Sequence, residues 1–156
     1  RRQRQMCIRD RFVAGHSAGG YLTSMIGLDK RWLEPYGIDP DTAFVALIPY
    51  SGQVVTHFER RRELGLPDTQ PLVDDMAPLS YVRPDCRPML ILSGDREREM
   101  LGRYEENAYF WRMMRVAGHP DVRICEFDGF DHGNMPQAGH FVAVRYIREM
   151  ERRMDR

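Results

Sequence analysis

Two short runs of the chain, Ala43-Phe44-Val45-Ala46-Leu47-Ile48 and Pro88-Met89-Leu90-Ile91-Leu92, are almost uninterrupted in apolar residues. A strand with one wet face alternates apolar and polar positions, so a run that is apolar throughout belongs to a strand covered on both faces. Such strands occur in parallel sheets flanked by helices. Longer amphipathic stretches separate the runs, which predicts βαβ units and a mainly parallel sheet. Strands are expected near 11–14, 43–49, 88–93 and 122–127. Helices are expected at about 18–28, at 101–117 before Gly118, and at 138–153. In the second helix Tyr104, Ala108, Trp111 and Arg115 fall at helical spacing and predict an aromatic buried stripe.

Composition removes several functions. The 156 residues carry 23 basic and 23 acidic side chains, so no excess positive field exists to hold nucleic acid or an anionic membrane. Lys30 is the only lysine, and the arginines do not cluster as a binding patch. A 42% hydrophobic and 29% charged composition is that of an ordinary globular domain. Cys7, Cys86 and Cys125 are odd in number and lack CxxC spacing, so unpaired thiols are expected, with no metal site and no disulfide framework. No stretch approaches the roughly 18 apolar residues of a membrane span. The first ten residues, RRQRQMCIRD, have no strand or helix period and read as a non-native tail that resembles translated cloning sequence. A cytoplasmic protein is favoured, although an export signal could have been lost with the natural N-terminus. The segment 52–86, with Pro67, Pro71, Pro78 and Pro84, is a long loop-rich excursion that could shape a substrate pocket or form a solvated insertion.

Gly15-His16-Ser17-Ala18-Gly19 fits G-x-S-x-G with an apolar strand before it and a helical run after it. That setting calls for a sharp strand-to-helix turn that lifts a serine Oγ above the sheet, with flanking glycines where a Cβ would clash. At the start of the helix, the unpaired N–H of Ala18 can stabilise an oxyanion. His16 in the elbow is expected to point away from the serine's reactive side. A serine nucleophile needs a histidine base and an orienting carboxylate, in the chain order Ser, acid, His. Of His16, His57, His119, His132 and His140, only His132 sits in a glycine-rich loop between the last strand and the last helix, at the sheet edge where doubly wound folds place their sites. The loop after the third strand, Gly94-Asp95-Arg96-Glu97-Arg98-Glu99, offers three competing acids. Asp131 reads as a turn former, and Tyr50 and Phe130 as core aromatics that could instead line an acyl pocket.

The strand-GHSAGG-helix block, the SGD-x-E loop and the G-x-DHG loop together resemble the esterase/lipase branch of the α/β-hydrolase superfamily, notably hormone-sensitive-lipase-like, feruloyl-esterase-like and kynurenine-formamidase-like members. The resemblance spans about residues 11–150. It implies the C-terminal portion of that fold, with the N-terminal strands missing, and a carboxylic ester hydrolase acting through a triad and an acyl-enzyme. No cofactor is implied, and the partner is a small ester or acyl substrate; oligomeric state is left open. In the family the acid stands three positions after the loop glycine, which carries the role to Glu97, with Asp95 as alternate. The family's upstream loop donates a second oxyanion N–H, and residues 1–10 contain nothing to supply it. Two other readings stand beside the esterase: an inactive fragment or binding module, and an amidase or peptidase using the same triad.

Overall fold

The computed structural model describes residues 11–155; the expected tail lies outside them. Four strands, β1 (Phe12–His16), β2 (Ala46–Tyr50), β3 (Met89–Gly94) and β4 (Val122–Phe127), form one sheet in the order β1-β2-β3-β4. All adjacent pairs are parallel, with Val13 opposite Leu47, Leu47 opposite Met89 and Ile91 opposite Ile124. The helices are α1 (Ala18–Leu28), α2 (Pro40–Ala43), α3 (Phe58–Glu63), α4 (Arg103–Val116) and α5 (Met135–Met154). Each of the three long helices lies within about three residues of its expected position.

The two apolar runs supply the two inner strands, whose faces are both covered, although β2 starts at Ala46 and not near 43, because Ala43 closes α2. Ala46, Ile48, Tyr50, Leu90 and Leu92 pack on one side against Met135, Ala143, Tyr146 and Met150 of α5. The intervening residues, Leu47, Met89 and Ile91, pack on the other side against Leu28 of α1 and Phe110 and Met114 of α4. Each such fully buried side chain contributes roughly 1.5–3 kcal/mol of transfer free energy. The period of two along a strand thus divides a continuous apolar run between two cores.

The buried face of α4 differs from expectation. Arg103, Asn107, Phe110 and Met114 are buried, Tyr104 and Trp111 are half-buried, and Arg115 is exposed. Two polar side chains turn inward because they bond to the carbonyls of Ser51 and Gly52, where the 52–86 excursion begins. That excursion is no detached insertion. Val54 and Ala77 are buried, and the Arg61 guanidinium donates to the carbonyls of Asp68 and Gln70, closing the segment on itself.

Register sets where chemistry can gather. His16 lies opposite Tyr50, and Gly94 opposite Phe127, so the four strands end on one edge. The loops that leave this edge begin at residues 17, 51, 95 and 128.

Candidate active site

Ser17 occupies the turn between β1 and α1 with φ 57° and ψ −116°, a conformation that side-chain-bearing residues rarely adopt. The turn is held by the Ser17 N–H donating to Tyr50 O at 2.9 Å. A Cβ on Gly15 would stand 2.3 Å from the Gly19 carbonyl oxygen, so glycine is required there. Gly19 itself is uncrowded, contrary to the expectation that both flanking glycines relieve clashes. The second crowded position is Gly20, where a Cβ would meet Tyr50 O at 2.8 Å and Gly52 Cα at 2.9 Å. Ala18 opens α1, so its N–H has no intrahelical acceptor and stands beside the hydroxyl-bearing residue.

The Ser17 hydroxyl donates to His132 Nε2 at 2.9 Å, and His132 Nδ1 donates to Glu99 Oε2 at 2.8 Å. Three loops from one sheet edge thereby bring hydroxyl, imidazole and carboxylate into line. The carboxylate is Glu99 and not Glu97 or Asp95. The loop after β3 folds into a helical turn, with Glu99 N–H donating to Asp95 O at 2.8 Å, and this swings residue 99 back beneath Gly94 while residue 97 faces solvent. Room for it exists because Gly94 lacks a side chain: a Cβ there would lie 3.0 Å from Glu99 Oε1. Asp95 is engaged elsewhere, accepting from the N–H groups of Gly129 at 2.7 Å and Glu97 at 2.9 Å, and these bonds hold its carboxyl below the usual range. It ties the turn of residues 95–99 to the loop that carries His132.

The Glu99 side chain is 0% exposed. Burial alone would raise its carboxyl, but the hydrogen bonds from His132, Ser51 and the Gly94 N–H outweigh it and bring the group down to about 2 from 4.5. An ionised carboxylate next to Nδ1 fixes the tautomer that leaves Nε2 free to accept from the serine.

His16 departs from expectation. Its ring lies 4.7 Å from that of His132, and its Nε2 donates to the His132 carbonyl at 2.9 Å. Burial and the neighbouring His132 lower its pKa. His16 therefore steadies the loop that carries His132. The remaining histidines are placed by packing. His57 caps α3, His119 donates to Cys86 O at 3.1 Å, and His140 accepts from the Tyr50 hydroxyl at 3.3 Å. Asp131 closes the turn before α5 by accepting from Gly133 and Asn134 N–H. Tyr50 and Phe130 belong to the α5-side core. Burial pushes the Cys86 thiol up to about 12, which leaves it unreactive near neutral pH. Among the described residues no cluster of three or more His, Cys, Asp and Glu side chains is arranged to hold a metal, and no helix is long and apolar enough to cross a membrane.

The sequence matches no protein-family model and no curated protein. The structure is similar to that of esterase 2 from Thermogutta terrifontis. For the apo form the TM-score is 0.66 at 23% identity, covering 89% of this chain and 55% of that one. The form phosphoramylated by tabun gives 0.66 at 23% identity, with 89% and 54% covered, and the propionate-bound form 0.63 at 20%, with 89% and 55%. The chain thus spans about half the length of the solved structures it matches. At these identities the likeness concerns the fold: an α/β arrangement, with a four-stranded parallel sheet and flanking helices, that corresponds to part of an α/β-hydrolase fold.

Proposed function

We propose that the chain is a serine hydrolase of carboxylic esters. The observation that carries this reading is the continuous relay Ser17–His132–Glu99, with contacts of 2.9 and 2.8 Å and an ionised, solvent-excluded acid at its far end. In the first half-reaction the Ser17 Oγ attacks the ester carbonyl carbon while its proton passes to His132 Nε2. The negative charge that develops on the carbonyl oxygen is met by the Ala18 N–H at the positive end of α1. Glu99 stabilises the imidazolium, which then protonates the departing alcohol and leaves an acyl-Ser17. Water, deprotonated by His132, repeats the sequence in reverse and releases the acid. The likeness to esterase structures with propionate and butyrate bound makes short acyl groups the first candidates.

A second reading has its own support. The Ala18 N–H at the start of α1 is one oxyanion donor, and a hydrolase of this kind uses two. A missing donor typically lowers turnover by about 10²–10³. On that reading a chain with the Ala18 donor alone acylates and turns over slowly.

The test is labelling by a fluorophosphonate probe together with hydrolysis of p-nitrophenyl acetate and butyrate. The parent is expected to label and to hydrolyse, and Ser17→Ala to do neither. Equal signals from the two proteins overturn the proposal, and labelling without turnover selects the second reading.

A further inference from the structure

Behind Glu99 lies a buried polar cluster that the relay does not itself use. Ser51 follows β2, is 0% exposed, and has φ 43°, a left-handed conformation uncommon for a residue with a side chain. Every polar group it has is engaged. Its N–H donates to Leu92 O at 2.7 Å, its carbonyl accepts from Arg103 Nη1, and its hydroxyl donates to Glu99 Oε1. Arg103, at the start of α4 and 3% exposed, is fixed in turn: its Nε donates to Glu106 Oε1 at 2.8 Å. The other oxygen of Glu106 accepts from the N–H groups of Val54 at 3.0 Å and Val55 at 3.1 Å. Asn107 completes the grip by donating to Gly52 O at 2.8 Å. The first two turns of α4 therefore hold the backbone of 51–55 by both its carbonyls and its amides.

The same arrangement has an electrostatic side. The Arg103 charge is matched by Glu106, so the guanidinium serves the Ser51 carbonyl while the negative charge of Glu99 is left facing the imidazole. Oxygen Oε1 of Glu99 takes the Ser51 hydroxyl and the Gly94 N–H, and Oε2 takes His132. Two donors on Oε1, together with the Met100 N–H donating to Oε2 at 3.1 Å, set the plane of the carboxylate and turn Oε2 toward the base. Hydrogen bonds to an ionised acceptor in a buried setting are the strong kind.

We infer that Ser51, locked in its left-handed turn by Arg103 and Glu106, is a positioning residue that aims the Glu99 carboxylate at His132. The inference rests on the proposed serine-hydrolase reading and names residues that reading does not require. It also gives a reason for the conformation of Ser51: with the backbone turned this way the hydroxyl reaches the acid.

The ionisable groups around the pair are His16 from β1 and Arg103 with Glu106 from α4. None of them changes in Ser51→Gly, which removes the hydroxyl and suits the left-handed backbone. The rate at which the full chain reacts with a fluorophosphonate probe is to be measured against pH for the parent, Ser51→Gly, Arg103→Met and Arg103→Lys. Ser51→Gly is expected to slow labelling about tenfold, the loss of one hydrogen bond to a charged group. Its acidic limb should move to higher pH, because a carboxylate with one donor fewer presents more charge to the imidazole and favours the imidazolium. Arg103→Met should act in the same direction, and Arg103→Lys, which keeps a donor for the Ser51 carbonyl, should recover part of the rate. If the parent labels at Ser17 and Ser51→Gly matches it in rate and limb, the positioning role is overturned and the proposed function stands. A smaller labelled fraction at unchanged rate and limb is lost folding alone and overturns it equally. A parent that does not label overturns both.

Discussion

Glu99 and Glu97 are two residues apart, carry the same side chain, and differ completely in what they touch. The difference comes from one backbone hydrogen bond, Glu99 N–H to Asp95 O, which coils the loop after β3 so that residue 99 returns under the sheet edge. Replacing the buried acid by its amide keeps size and shape but removes the charge that favours the productive tautomer and the imidazolium. Glu99→Gln is therefore expected to lower kcat/KM for p-nitrophenyl butyrate by about 10²–10⁴. Glu97→Gln, in an exposed position, should stay within about twofold of the parent. Steady-state assays of the two variants side by side decide it, and a larger loss from Glu97→Gln would return the acid to residue 97. The sequence alone could not separate them, since spacing from Gly94 says nothing about a turn formed by the acids' own backbone. Ser17 and His132 were legible because strand, glycine and helix signals fix each of them locally.

At the scale of elements, apolar periodicity located the four strands and three long helices but misread one helix face. The stripe through Tyr104, Ala108, Trp111 and Arg115 is one position away from the buried stripe of Arg103, Asn107, Phe110 and Met114. A pattern of apolar residues cannot count Arg103 and Asn107, whose burial depends on carbonyls at Ser51 and Gly52 contributed by a distant loop. The packing of α5 on the sheet has a similar hidden requirement. Gly139 lies inside a helix, where exchange to alanine ordinarily adds about 0.5–1 kcal/mol of stability. Here an added Cβ would sit 2.7 Å from Tyr50 Cε1, on a ring that is itself buried and bonded to His140. Gly139→Ala is expected to destabilise by about 1–3 kcal/mol through overpacking. Gly19→Ala in α1, where a Cβ meets nothing within 4 Å, should be neutral or mildly stabilising. Thermal or urea melts of both variants check the pair, and a stabilised Gly139→Ala would show that α5 can move off the sheet.

Across the whole molecule charge is balanced, and most ion pairs lie in water. Arg62 with Glu59 and Asp68, and Arg60 with Glu63, have side chains between 46% and 66% exposed, and pairs so well solvated contribute little to stability. Glu99 is the contrasting case: solvent-excluded, bonded to four donors, and held at about 2 in the fold against 4.5 ordinarily. A carboxyl depressed on folding stabilises the native state fully above its unfolded value, and that contribution fades as pH falls through the folded value. The window for Glu99 is therefore about pH 4.5 down to 2. Asp41 adds in the same direction. Burial opposes the shift there too, but hydrogen bonds from Arg83 and Lys30 prevail and lower its carboxyl. Glu99→Gln lacks the titrating group, so parent and variant should differ most in stability above pH 5 and converge toward pH 2. Urea unfolding followed by tryptophan fluorescence across pH 2–7 measures the gap directly. A gap that stays constant over this range would mean that Glu99 titrates alike in folded and unfolded chains, and that the hydrogen bonds converging on it do not hold its charge.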